Sequence, residues 1–191
     1  MKKVPDYKLI FDSVLMYTRY DSNGEHYATV IETDGVIHVN QKPIDIMKES
    51  ILYYGSDLSG AIKGAKHLLG DIRIPPLKVS GFHRMYWLCT EKLTSGSCIF
   101  MACHHIDQVI GKPRKKPVTV IFKNGYSIRV ELTLDQFNAK RGKTNDLQFY
   151  TEKRLRNKQE KAFSDYLIIK DPDTGRYAIK KEQQSEDFEE E

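Results

Sequence analysis

The stretch Val118-Thr119-Val120-Ile121-Phe122-Lys123-Asn124-Gly125-Tyr126-Ser127-Ile128-Arg129-Val130-Glu131-Leu132 constrains the fold more than any other. Asn-Gly between two β-favouring runs predicts a hairpin closed by a type I′ turn, because both central residues of that turn need positive φ. The second run alternates, with Tyr126, Ile128, Val130 and Leu132 on one face. The first run is apolar on both faces, which predicts cover on both. Eleven tyrosines and eight phenylalanines point to a β-rich core elsewhere as well. The expected class is α+β: antiparallel sheet and hairpins with a few short helices.

The rest of the chain fits that class. Residues 9–17 and 26–31 read as strands separated by the turn signal Asp21-Ser22-Asn23-Gly24. Asp34-Gly35 predicts another hairpin, returning through Val36 to Val39. Pro43 suits the first position of a helix, and Ile44, Met47 and Ile51 follow at helical spacing. Leu77 to Val79 and Met85 to Cys89 read as strands, with Trp87 in the core. The apolar run from Cys98 reads as a buried strand, and Thr133 as the cap of a short helix holding Leu134 and Phe137. Residues 149–163 could form a charged helix with a thin apolar stripe of Leu155, Ala162 and Phe163. Tyr166-Leu167-Ile168-Ile169 is an apolar island, and the chain from Asp171 reads as disordered. The expected organisation is one globular domain over residues 1–164 and a flexible acidic tail over 165–191.

Two glycine-rich readings compete in the segment Tyr53-Tyr54-Gly55-Ser56-Asp57-Leu58-Ser59-Gly60-Ala61-Ile62-Lys63-Gly64-Ala65-Lys66, which runs on to Ile74-Pro75-Pro76-Leu77. Ser56 or Asp57 could cap a helix that Gly70 would end. Backbone N–H groups and the two lysines could then meet an anion, above all a phosphate. The plainer reading is a turn and a short amphipathic helix, with Ala61, Ile62, Ala65, Leu68 and Leu69 packed on a sheet.

Charge is distributed unevenly. The net charge is +4 overall, but it is zero over residues 1–111, +9 over 112–164 and −5 over 165–191. A basic region suggests an anionic partner, nucleic acid being the commonest. Its densest piece is Gly111-Lys112-Pro113-Arg114-Lys115-Lys116-Pro117, which the flanking prolines should hold extended. Lys140-Arg141-Gly142-Lys143 is a second cluster. Candidate phosphate contacts are Lys63, Lys66, Lys112, Lys115, Lys116, Lys140, Arg141 and Lys143, with Arg114 for entry into a narrow minor groove. The alternative is a solvated basic loop.

Other chemistry finds little footing. Cys98, Cys103, His104 and His105 lack the spacing of a zinc site, and core cysteines are the better reading. No paired carboxylates or nucleophile–base pair suggest an enzyme. Three cysteines, an odd and small number, suit a reducing cytoplasm. No apolar run is long enough to span a bilayer, and none after Met1 resembles a signal peptide. No cofactor is expected.

The middle of the chain resembles the ComK family of competence transcription factors. The resemblance rests on Val39-Asn40-Gln41-Lys42-Pro43, Tyr54-Gly55-Ser56, Gly60, Gly64 and Pro75-Pro76-Leu77, in that order and spacing. It continues through Asn124-Gly125 to the region of Phe137, covering about residues 36–144. It implies a cytoplasmic activator that binds A/T-rich DNA mainly through the minor groove, as a homodimer or dimer of dimers. It also implies an adaptor that hands the protein to a Clp protease. One departure stands out: the family usually follows the second motif glycine with a basic residue, whereas here Ala61-Ile62 precede Lys63. That departure motivates an alternative, a regulatory protein-interaction module of the same fold that has lost DNA binding.

Overall fold

The computed structural model describes residues 2–20, 22, 24–159, 166–172 and 174–181. The chain divides into two compact units, Met1–Glu152 and Lys153–Glu191. The fold is α+β and β-rich.

The first unit contains β1 (Lys2–Val4), β2 (Ser13–Tyr20), β3 (His26–Glu32), β4 (Val36–Val39), α1 (Pro43–Tyr53), α2 (Leu58–Leu69), β5 (Leu77–Ser80), β6 (Met85–Cys89), β7 (Phe100–Ala102), β8 (Ile106–Ile110), β9 (Val118–Phe122) and β10 (Ser127–Val130). α3 (Leu134–Gln159) begins in this unit. A seven-stranded sheet has the order β1-β4-β3-β2-β7-β6-β5, and a three-stranded sheet the order β10-β9-β8. Every pairing among the described residues of these two sheets is antiparallel except β1 with β4.

Strand alternation sorts the core into layers. Met16, Val30, Leu77, Met85, Trp87 and Phe100 meet Ile46, Met47 and Ile51 of α1 on one face of the large sheet. Leu15, Leu88 and Met101 meet Val118, Val120 and Phe122 of the small sheet on the other. Tyr86 is covered separately by Ala65 of α2 and Leu147 of α3. All five residues of β6 are therefore buried, as a central strand with both faces covered requires.

The Asn124-Gly125 hairpin forms, but its turn is not type I′. Only Gly125 has positive φ, at 86°. The Gly125 N–H donates to the Phe122 carbonyl at 2.9 Å, and Phe122 pairs with Tyr126 across a three-residue loop. This is a type I turn followed by a left-handed glycine. The Asn124 side chain donates instead to the carbonyls of Glu32 and Thr33, at 3.2 and 3.4 Å, tying the hairpin tip to the β3–β4 turn. β9 is covered fully on one face only; Thr119 and Ile121 on the other are half-buried.

Three other expectations change. The strand in residues 9–17 begins only at Ser13, leaving Leu9 buried in an irregular segment. The strand expected from Cys98 begins at Phe100, and Cys103–His105 form a turn of 3-10 helix. The short helix after Thr133 is the start of one 26-residue helix that runs through Lys140-Arg141-Gly142-Lys143.

In the second unit, β11 (Tyr166–Lys170) and β12 (Tyr177–Lys181) pair antiparallel, so residues 171–181 complete a hairpin where the sequence suggested disorder. Asp171 organises its loop, accepting from the Thr174 and Gly175 N–H groups at 3.0 and 2.9 Å. The stripe of Leu155, Ala162 and Phe163 and the acidic run 182–191 lie outside the described side chains.

Candidate nucleic-acid interface

α2 begins at a working cap. Asp57 is extended, and its carboxylate accepts the Gly60 N–H at 2.9 Å. Gly70, at φ 85°, ends the helix. Ala61 and Ala65 are buried, with Leu58, Ile62, Leu68 and Leu69 half-buried beside them. The amphipathic expectation therefore holds, and it explains Ala61-Ile62: both face the core, and Lys63 is the first outward residue after them. The outward face carries Ser59, Gly60, Lys63, Gly64, Lys66 and His67. A Cβ at Gly64 would meet nothing within 4 Å. Packing among the described residues therefore does not require this interior glycine, which costs about 0.5–1 kcal/mol relative to alanine. Lys66 reaches Asp71 at 2.9 Å and holds that carboxyl below its usual range.

α3 begins with a reciprocal capping box. The Thr133 hydroxyl accepts the Gln136 N–H at 3.3 Å, and the Gln136 side chain accepts the Thr133 N–H at 3.0 Å. Phe137, Thr144 and Leu147 face inward. So does Arg141, whose guanidinium donates to the Ile106 carbonyl at 3.0 Å and bears on the Cys103 thiol. Lys140 and Lys143 turn elsewhere. With Arg73, Ile72, Ile74 and Ala139 they line a cavity of about 210 Å³. Desolvation pushes the half-buried Lys140 ammonium below its usual pKa, and Lys143 adds to this. Ala65 and Leu147 share the cluster over Tyr86, while residues 72–74 meet Lys140 and Lys143. α2 thus meets α3 near Leu147, and the loop that follows α2 meets it earlier, at Lys140 and Lys143.

The 112–116 segment is a turn, not an extended strand. β8 and β9 are antiparallel neighbours, so the chain must reverse between Ile110 and Thr119. It does so with the Lys115 N–H on the Lys112 carbonyl at 3.2 Å and Arg114 at φ 56°. Lys112, Arg114, Lys115 and Lys116 are all exposed. Glu91 relates this turn to α3. Hydrogen bonds from Ser97 and Ser95 hold its carboxyl below the usual range, and the charges of Lys140 and Lys116 lower it further. Lys116 of the turn and Lys140 of α3 thus both act on the Glu91 carboxyl, and Lys140 also shares its cavity with Arg73. Sequence reasoning passes over Arg73 because it sits in an apparently plain loop, Asp71-Ile72-Arg73-Ile74-Pro75.

The cysteines and histidines do other work. Cys89 and Cys98 act on each other, which raises the first thiol's pKa and lowers the second's, and the Cys98 thiol donates to the Glu91 carbonyl at 3.6 Å. Cys103 reaches the Asn145 side-chain oxygen at 3.1 Å. His104 and His105 both contact the Phe11 carbonyl, at 3.0 and 2.7 Å. Among the described residues, no group of three or more His, Cys, Asp or Glu could hold a metal ion. No described helix is long and apolar enough to cross a membrane.

Comparison with known proteins bears on the same region. The competence transcription factor of Bacillus subtilis (strain 168) is 24% identical over 115 residues, which cover 60% of this chain and 59% of that protein. The chain thus aligns with about three fifths of that relative's length. No solved structure matches. The family model described as ComK protein matches residues 6–156, from before β2 into the second half of α3. A match over so much of the chain places it in a family: this protein belongs to the ComK family.

Proposed function

We propose that this protein is a DNA-binding transcription regulator, an activator of competence that grips A/T-rich duplex DNA largely through the minor groove. One observation carries the reading. Lys140 and Lys143 of α3 line one cavity with Arg73, and the charges of Lys140 and Lys116 both bear on the Glu91 carboxyl, so basic residues of α3, of the loop after α2 and of the 112–116 turn fall in one region. Such a concentration attracts a polyanion and makes its binding depend on salt. Family membership supports the same reading, as does the name of the relative from Bacillus subtilis.

In this proposal Lys63, Lys66, Lys112, Lys115, Lys116, Lys140 and Lys143 contact phosphates and set position. Arg114, at the tip of its turn, enters the groove, where a narrow A-tract concentrates negative potential. Arg141 contributes by fixing the helix that presents Lys140 and Lys143. The smooth Gly60–Gly64 face of α2 lets a partner's backbone approach closely. The globular region to residue 164 forms the binding domain, and two or four copies act together in the cytoplasm. The acidic region from 165 serves as the handle for an adaptor and a Clp protease. No catalytic role, cofactor or membrane partner belongs to the proposal.

A gel shift with A/T-rich and G/C-rich duplexes over a salt series tests it. The expected result is A/T preference and steep salt dependence. Replacing Arg114, Lys115 and Lys116 with alanine should flatten the slope by about one unit per lost phosphate contact. An unchanged slope would move the DNA surface away from this turn. Absence of binding to either duplex at low salt would favour the protein-interaction module instead.

A further inference from the structure

The turn between β5 and β6 displays the most exposed large apolar side chain among the described residues. Phe82 is 91% accessible, although its neighbours in the turn are firmly held. The Arg84 N–H donates to the Gly81 carbonyl at 3.2 Å, and the His83 N–H reaches the Ser80 hydroxyl at 3.3 Å. Arg84 adopts φ 54°, a left-handed conformation that side-chain-bearing residues rarely take. Its guanidinium grips both oxygens of Glu152 on α3, at 2.9 and 3.0 Å. Behind the tip, rings stand in file: Phe82 to His83 at 5.0 Å, His83 to Tyr54 at 5.5 Å, and Tyr54 to Tyr53 at 5.0 Å. Backbone strain kept in place by an ion pair and ring contacts suggests a turn shaped for use.

The surroundings of the tip suggest what it meets. The Lys78 side chain lies against Gly81, and His83 and Arg84 follow Phe82 in the chain. Glu152, the nearby carboxylate, is already occupied by Arg84 and by the Gln148 amide. α2 starts beside this turn, since Tyr54, four residues before Leu58, packs edge-on against His83. It ends just before the loop carrying Arg73, so the helix leads from the side of this turn towards the basic cavity. An apolar ring on a braced tip, with the Lys78 side chain beside it, matches the wedges that minor-groove proteins insert between base pairs.

We propose that Phe82 is such a wedge, entering a flexible pyrimidine–purine step from the minor groove and kinking the duplex. The inference rests on the DNA-binding reading above. Arg84 and the ring file act as the brace, holding the turn so that the ring loses little freedom on insertion. Lys78, beside the turn, meets a phosphate next to the opened step. Phe82 thereby adds specificity for deformable steps without a hydrogen bond to any base.

The test uses the full chain and an A/T-rich duplex with one central TA step, the adenine of that step replaced by 2-aminopurine. Wild-type protein should brighten the probe as the step unstacks, and should bend the duplex in a circular-permutation gel. Phe82→Ala, changing an exposed side chain, should keep the wild-type melting temperature. It should lose the brightening and the bend, and weaken binding roughly tenfold. Phe82→Leu should restore most of the bend. Phe82→Ala that binds, brightens and bends like wild type overturns the wedge while leaving the DNA reading intact. Phe82→Ala that bends DNA normally but sediments as a smaller species assigns the ring to a protein contact and also overturns it. Wild-type protein that binds no duplex at low salt overturns both readings together.

Discussion

Three glycines in and after α2 should respond to alanine in three different ways, and the structure gives the sign of each. Gly64 lies in the helix interior, exposed, with open space where its Cβ would go. Gly64→Ala should therefore stabilise the protein by about 0.5–1 kcal/mol. For a chain of this size that corresponds to a rise of roughly 1–4 °C in Tm. At Gly60 the new Cβ would sit 2.9 Å from the Asp57 carboxylate that caps the helix. Displacing that cap costs about 1 kcal/mol, enough to cancel the gain in helix propensity. Gly70→Ala forces a side chain into φ 85° and should destabilise by about 1 kcal/mol. Urea denaturation of the three variants at one pH, with slopes compared, reads out this order. If Gly64→Ala proves less stable than wild type, the open space beside α2 is wrong. The same variant tests function, because a methyl on the outward face should weaken DNA binding while it strengthens the fold. Higher stability with unchanged DNA affinity would refute the placing of DNA along α2.

Three further outcomes concern the core and the basic end. His104 is half-buried, its Nδ1 has no partner among the described residues, and burial lowers its pKa, so the unfolded chain binds its proton more readily. Stability should therefore fall as pH drops below about 6.5, and His104→Gln should show a shallower acid slope by denaturation. The slope should not vanish, because burial and Arg19 also lower the pKa of His38. Trp87 is wholly buried and its indole N–H has no partner among the described residues; Trp87→Ala should cost about 3–5 kcal/mol, and Trp87→Phe distinctly less, by urea titration. Lys140→Met keeps the side-chain stem and removes a partly desolvated charge. It should leave the midpoint at or above wild type while lowering the salt dependence of DNA binding.

The strands, turns and caps that depend on neighbours in sequence are legible in the amino-acid string alone. Pro43 opening α1, Asp57 and Gly70 bounding α2, and Trp87 at the centre all follow from local chemistry. The misreadings fall where distant parts of the chain decide. Asn124 does not take positive φ, and its amide is used on the β3–β4 turn, information that the dipeptide does not contain. The 112–116 segment bends because β8 and β9 are neighbours, and prolines tolerate a turn as readily as an extended run. α3 is long although Gly142 and a high density of charge obscure its period; Phe137, Thr144 and Leu147 give it a buried edge. The lysines are visible in the sequence as charge, but that Lys140 shares a cavity with Arg73 and acts with Lys116 on Glu91 is not. Nor does the dipeptide Lys140-Arg141 reveal that the lysine faces the cavity while the arginine faces the core.

Lys140 and Arg141, pointing apart, limit the changes of length that the chain can tolerate. Consecutive residues on a helix point about 100° apart. From the Thr133–Gln136 box onward, α3 is fixed in azimuth by Phe137, Arg141, Thr144 and Leu147, and finally by Glu152 on Arg84. Deleting one residue between Arg141 and Leu147 would swing everything beyond it by about a quarter turn. Leu147 would leave Tyr86, and Glu152 would leave the turn that holds Phe82. Beyond Glu152 the same deletion would spare every one of these contacts. Drift in length within this helix should therefore be forbidden up to Glu152 and permitted after it.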